Sequence, residues 1–235
     1  MLFRSPLLPS ALRGGAVAAV VLALTAGCSP AARRVRTPPL LGAAVALTGN
    51  ASAIGQDQRI GLDLAAAMFG PAGPGRSLPL SLAIEDAGTD EQSASQAFRT
   101  LIGRDVLAIV GPSLSQQAFA ADPVADRAGV PVVGPSNTAR GIPEIGPFVL
   151  RVSAPVSQVA PLSIARALRN DPALQRVAVF YAQDDAYSTS ETAIFQKALA
   201  DRRLKPVSLQ RHQFRDRKST RLNSSHLVIS YAVFC

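Results

Sequence analysis

Between residues 40 and 211, short runs rich in Val, Ile, Leu and Ala alternate with longer segments whose apolar positions recur every three or four residues. That alternation is the pattern of a parallel sheet with helices on its faces. The short runs predict strands at 42–47, 78–85, 106–110, 131–133 and 148–151, with helices between them at about 56–69, 90–102 and 116–128. Thr89 and Gln92 are spaced as a capping box at the start of the second helix, each satisfying a backbone donor of the other. Gly70-Pro71-Ala72-Gly73-Pro74-Gly75 breaks the pattern. It predicts a turn rather than a phosphate loop, because it follows a helix and its prolines lack amide donors. After Arg151 the pattern restarts, with a helix at 158–169, a strand at 176–181, a helix at 189–201 and a strand at 206–210. The expected fold class is therefore α/β: a first lobe over 41–153, and the beginning of a second, incomplete lobe over 154–215.

Charge changes the picture less than its total suggests. The chain of 235 residues carries a net charge of +8, but residues 41–214 hold fifteen Lys/Arg against fifteen Asp/Glu. The excess lies at the two ends, so the basic balance gives no reason to expect a nucleic-acid partner.

Residues 1–27 read as an export signal, with Arg4 and Arg13 ahead of an apolar run over 16–26. That run is too short for a stable membrane span, which needs about 20 residues. Leu24-Thr25-Ala26-Gly27-Cys28 resembles a bacterial lipobox, in which a peptidase cuts before a cysteine that is then diacylated. Two acyl chains on Cys28 give stable anchoring. The alternative is an ordinary secretory signal with a cysteine near its cleavage site, and either reading exports the protein to the periplasm or cell surface. Residues 28–40, with three Arg and the Pro38-Pro39 pair, are expected to tether lipid to fold.

The other end, 216–235, resembles a translated sequencing adapter. Eighteen residues, 216–226 and 229–235, match the codons of a common short-read adapter around a two-residue barcode slot at Leu227-Val228. The alternative is a final strand, because 227–234 is apolar and rich in β-formers. On the adapter reading Cys235 and His226 have no role, the natural sequence stops near Arg215, and the gene product continues beyond it.

Five stretches share an order and spacing with a known family. They are Leu47-Thr48-Gly49 followed by Gly55-Gln56-Asp57; Ile84-Glu85-Asp86; Ala108-Ile109-Val110-Gly111-Pro112 with Ser115; 129–138, ending Pro135-Ser136-Asn137-Thr138; and Val177-Ala178-Val179-Phe180-Tyr181 with Asp184-Asp185-Ala186-Tyr187. Together they resemble the type I periplasmic binding proteins, on the leucine/isoleucine/valine-binding branch that serves ABC importers. The resemblance implies two lobes of parallel sheet flanked by helices, here with the second lobe truncated. It also implies a lipid-anchored binding protein that hands an amino-acid-like solute to a membrane permease, without catalysis or cofactor.

The candidate site agrees with elementary chemistry. Ligands of open α/β sheets sit at the carboxyl ends of the strands. Ser115 falls between the third strand and a helix, where its hydroxyl and the following amides suit a carboxylate. Ser136 and Thr138 follow the fourth strand and offer carbonyl and hydroxyl acceptors for an ammonium. The resemblance implies the same roles: Ser115 and Thr138 toward a carboxylate, the Ser136 carbonyl and Thr138 hydroxyl toward an ammonium. It makes Tyr187 a ring that closes over the ligand from the second lobe. At Ile54 many relatives place an aromatic ring over the ligand, so the resemblance does not carry over a side-chain specificity there. The family's second-lobe acid for the ammonium is expected beyond residue 215.

Each position also has a plainer reading. Ser115 reads equally as a helix cap, Thr138 as a turn stabiliser, Tyr187 as a surface aromatic and Ile54 as a loop anchor. Asp184-Asp185, without His or Cys nearby in sequence, reads as a solvated loop rather than a metal site. An enzyme is disfavoured: Gly111-Pro112-Ser113-Leu114-Ser115 lacks the last glycine of a nucleophile elbow, and His212 is the one histidine before the tail. No zinc or dinucleotide motif occurs. A sensor's ligand-binding domain of the same fold is the other alternative.

Overall fold

Parallel strands need long crossovers, and helices supply most of them here. The computed structural model describes residues 38–69, 80–213 and 230–234, all within one compact unit. The first lobe runs β1 (Leu40–Val45), α1 (Ser52–Phe69), β2 (Ser81–Asp86), α2 (Glu91–Ile102), β3 (Ile109–Val110), α3 (Ser115–Arg127), β4 (Val132–Gly134), a 3-10 turn (Pro143–Ile145) and β5 (Val149–Arg151). The second runs α4 (Val156–Asn170), β6 (Val177–Ala182), α5 (Ala186–Ala200), β7 (Pro206–His212) and β8 (Ser230–Phe234).

The first sheet has the order β2-β1-β3-β4-β5, and every pairing is parallel. The order reverses at β1, so right-handed crossovers put α1 on one face and α2 and α3 on the other. The reversal also opens a crevice between the carboxyl ends of β1 and β3, where ligands of such sheets bind.

The core beneath α2 and α3 follows from their periodicity. Ala94, Ala97, Phe98 and Leu101 fall on one stripe of α2 and pack with Ala121 and Ala125 of α3 against Ala44, Ile109 and Val132 of the sheet. Phe98, Leu101 and Ile109 are fully buried, each stabilising the lobe by about 1.5–3 kcal/mol. In the second lobe Val156, Ala160 and Ile164 of α4 pack with Val177 and Val179 of β6 and Leu199 of α5.

Several boundaries differ from expectation for local reasons. β1 begins at Leu40, at the end of the expected tether, and stops at Val45. The amides of Leu47 and Thr48 turn instead to the Asp86 carboxylate, at 2.9 and 3.3 Å. β3 is only two residues long, although Leu107 and Ala108 still exchange single bonds with β1. The expected Thr89 capping box is not the cap observed. Asp90 is the N-cap of α2, accepting from the Ser93 amide at 2.8 Å.

The second sheet has the order β7-β6-β8, with β6 and β7 parallel and β8 antiparallel to β6. The segment 230–234 therefore takes the strand conformation given above as the alternative to an adapter-derived tail. The reason lies in its apolar, β-prone run, for which the unpaired side of β6 is a template. The export signal, Cys28, the turn at 70–75, His226 and Cys235 lie outside the described residues. Among the described residues no helix is long and apolar enough to cross a membrane.

Candidate functional site

Glycine at 111 lets the turn after β3 run close against β1. Its φ is 142°, and a Cβ there would overlap the carbonyl oxygen of Ala44. This close approach brings Ser113 to the end of β1, where its hydroxyl accepts the Ala46 amide at 2.9 Å. The same hydroxyl donates to Gln58 Oε1 of α1 at 2.5 Å. Gln58 Nε2 in turn donates to Ser136 Oγ at 2.8 Å, and Ser136 Oγ donates to the Ser113 carbonyl at 2.7 Å. One closed ring of hydrogen bonds thus ties α1 and the loops after β1, β3 and β4.

That ring supports one wall of a cavity of about 340 Å³. Ile54, Ser113, Leu114, Ser115, Pro135, Ser136, Thr138 and Ser153 line it from the first lobe, and Asp185 and Tyr187 from the second. All five ligand positions expected from the sequence, Ile54, Ser115, Ser136, Thr138 and Tyr187, therefore meet at one cleft. A small apolar cluster of Ala46, Ala51, Leu114 and Ala182 joins the lobes beside it.

The individual geometries refine the expected roles. Ser115 is not the cap of α3 but its first residue, after Leu114, which makes no side-chain cap bond. The buried Ser115 hydroxyl accepts the Ala139 amide at 3.3 Å, linking α3 to the loop after β4. The Ser136 hydroxyl is committed to the scaffold ring, so a ligand contact there falls to the backbone. Thr138 Oγ1 donates across the lobes to Glu191 Oε1 of α5, at 3.3 Å. Ile54 is half-buried in the first turn of α1, where Gly55 packs so closely on Ala46 that no larger residue fits.

The acids of the second-lobe wall differ from the solvated loop expected of Asp184-Asp185. Asp184 is exposed, but Asp185 is buried and caps α5, accepting the Ser188 amide at 2.7 Å. Burial pushes its carboxyl up, the neighbouring Asp184 charge adds to the rise, and the Ser188 and Tyr187 amides only partly oppose it. Glu191 is raised for the same first reason, burial, with bonds from the Tyr187 and Thr138 hydroxyls pulling back and the Asp185 charge pushing up. Among the described residues no group of three His, Cys, Asp or Glu is placed to hold a metal.

Sequence reading missed Gln58, Ser113 and Glu191 as parts of this site. Gln58 stands one helical turn after Ile54, which is the spacing that put it on the same face. Ser113 gives no such signal, because its hydroxyl reaches the end of β1 only through the fold.

A family model described as periplasmic binding protein matches residues 40–218. The chain belongs to the periplasmic binding protein family. Among curated relatives, the Leu/Ile/Val-binding protein homolog 7 of Brucella abortus is 27% identical over 182 residues, covering 74% of this chain and 44% of that one. A solute binding protein of an ABC transporter from Rhodopseudomonas palustris, solved with 3,4-dihydroxy benzoic acid, superposes with a TM-score of 0.66 at 20% identity, covering 75% and 47% of the two chains. The branched-chain amino acid transporter substrate binding protein LivJ of Streptococcus pneumoniae, solved with isoleucine, gives 0.63 at 20% identity, covering 80% and 54%. At that identity the two structures speak for the fold. This periplasmic binding protein chain spans about half the length of the relatives it matches. Those relatives are named for binding and transport.

Proposed function

We propose that this protein is an extracytoplasmic substrate-binding lipoprotein of an ABC importer. It captures a branched-chain amino acid or a related small polar solute in the 340 Å³ cleft and delivers it to a membrane permease. The observation that carries the reading is the convergence of Ser115, Ser136, Thr138 and Tyr187 on that cleft from both lobes. The first-turn amides of α3, which no intrahelical carbonyl reaches, suit a carboxylate beside Ser115. The isoleucine and the dihydroxybenzoic acid of the two solved relatives both present that group. Acceptors at Thr138 and the acids behind Tyr187 suit an ammonium. Residues from both lobes then share one ligand, so binding stabilises the arrangement in which the lobes meet.

A thermal-shift panel tests the reading. L-isoleucine, L-leucine and L-valine are compared with 4-hydroxybenzoate and glucose. A ligand at 100 times its Kd stabilises by about 2.7 kcal/mol, so at least one amino acid raises Tm by several degrees. A panel in which no amino acid moves Tm overturns the branched-chain amino acid reading. Lipid anchoring through Cys28 is checked separately: Cys28→Ser moves the protein from the membrane fraction to the soluble one, and unchanged fractionation removes the anchor.

A further inference from the structure

One buried acid stands behind the cleft and holds both of its walls. Glu191 of α5 is 8% exposed. Thr138 Oγ1 of the first lobe donates to it at 3.3 Å, and the Tyr187 hydroxyl of the second lobe donates to the same carboxylate. Its neighbour Ser190 accepts the Arg140 amide at 3.0 Å, fastening α5 to the same loop.

We propose that Glu191 is a positioning residue that fixes the polarity of the cleft, holding the Thr138 hydroxyl as an acceptor toward the ligand and the Tyr187 ring in place opposite it. The inference rests on the proposed binding function and adds to it a residue that decides which ligand group the cleft accepts. A buried carboxylate is costly unless its oxygens receive hydrogen bonds, and here two hydroxyls supply them from opposite lobes. A carboxylate is an acceptor only, so each hydroxyl must spend its single proton on it. Thr138 Oγ1 is then left with lone pairs alone to offer, which suits an ammonium and repels a carboxylate. The Glu191→Gln substitution removes that constraint, because the side-chain amide nitrogen donates, letting Thr138 turn its proton toward the ligand.

The test compares L-isoleucine with its des-amino analogue, 3-methylpentanoate, by calorimetry on wild type, Glu191→Gln and Glu191→Ala. Wild type prefers the amino acid, and both variants lower that preference about tenfold. A purely structural role weakens both ligands equally and leaves the ratio unchanged, which overturns the proposal. Hydrogen exchange of residues 137–141 in the ligand-free protein provides a second, independent reading. Glu191→Ala speeds exchange there and Glu191→Gln restores part of the protection, whereas unchanged exchange in both variants overturns the link to Thr138. If wild type binds neither ligand the binding function fails by itself, and the exchange experiment still decides the role of Glu191.

Discussion

Asp122 gives the sharpest stability prediction. It lies on α3 at 1% exposure, and its Oδ1 has no hydrogen-bond partner. Burial alone pushes its carboxyl up to about 8 from an ordinary value of 3.8. A raised acid is protonated in the folded protein over a range where the unfolded chain is ionised, so folding takes up a proton there. Stability from this group is therefore complete below pH 4 and is lost as pH rises toward 8, at about 1.4 kcal/mol per pH unit. By pH 7 the accumulated loss is about 4 kcal/mol, a large share of a typical domain's stability. Asp122→Asn keeps the shape and removes the titration. Urea unfolding followed by circular dichroism from pH 5 to 9 should show wild type losing stability relative to the variant, the gap widening with pH up to 8. Parallel curves for the two proteins across that range refute the reasoning, whatever other groups titrate, because those are common to both.

Two further outcomes are expected. Ser113→Ala strands the Ala46 amide and opens the ring through Gln58 and Ser136, costing about 1–3 kcal/mol in urea unfolding; a change within about 0.5 kcal/mol, typical of surface sites, contradicts the scaffold role. A long sequencing read of the source DNA across codon 215 is predicted to depart from the 216–235 sequence and continue as alternating strands and helices; native DNA encoding that tail contradicts the adapter resemblance.

The alternation of short apolar runs and amphipathic segments was enough to place every α-helix of the described residues within a few positions, though not the 3-10 turn at Pro143–Ile145. It works because each element buries one face of its own periodicity, as α2 does with Ala94, Ala97, Phe98 and Leu101. Boundaries shifted where a side chain from elsewhere intervened. Asp86 captured the amides of Leu47 and Thr48 and ended β1 early, and the Asp185 cap starts α5 at Ala186, three residues before its expected start. That Ile54, Ser115, Ser136 and Thr138 share one cleft was legible because the strand order puts the loops after β1, β3 and β4 together. Gln58, Ser113 and Glu191 were not, since each acts through a partner more than fifty residues away that only the fold brings close.

The most direct test of the binding site is calorimetric titration of the amino acid that gives the largest thermal shift into wild type and Ser115→Ala/Thr138→Ala. Each contact to a charged ligand group is worth about 1.5–3 kcal/mol, so the double variant should bind at least about 100-fold more weakly. A double variant whose Kd lies within about twofold of wild type, a difference of less than half a kcal/mol, contradicts the assignment of this cleft.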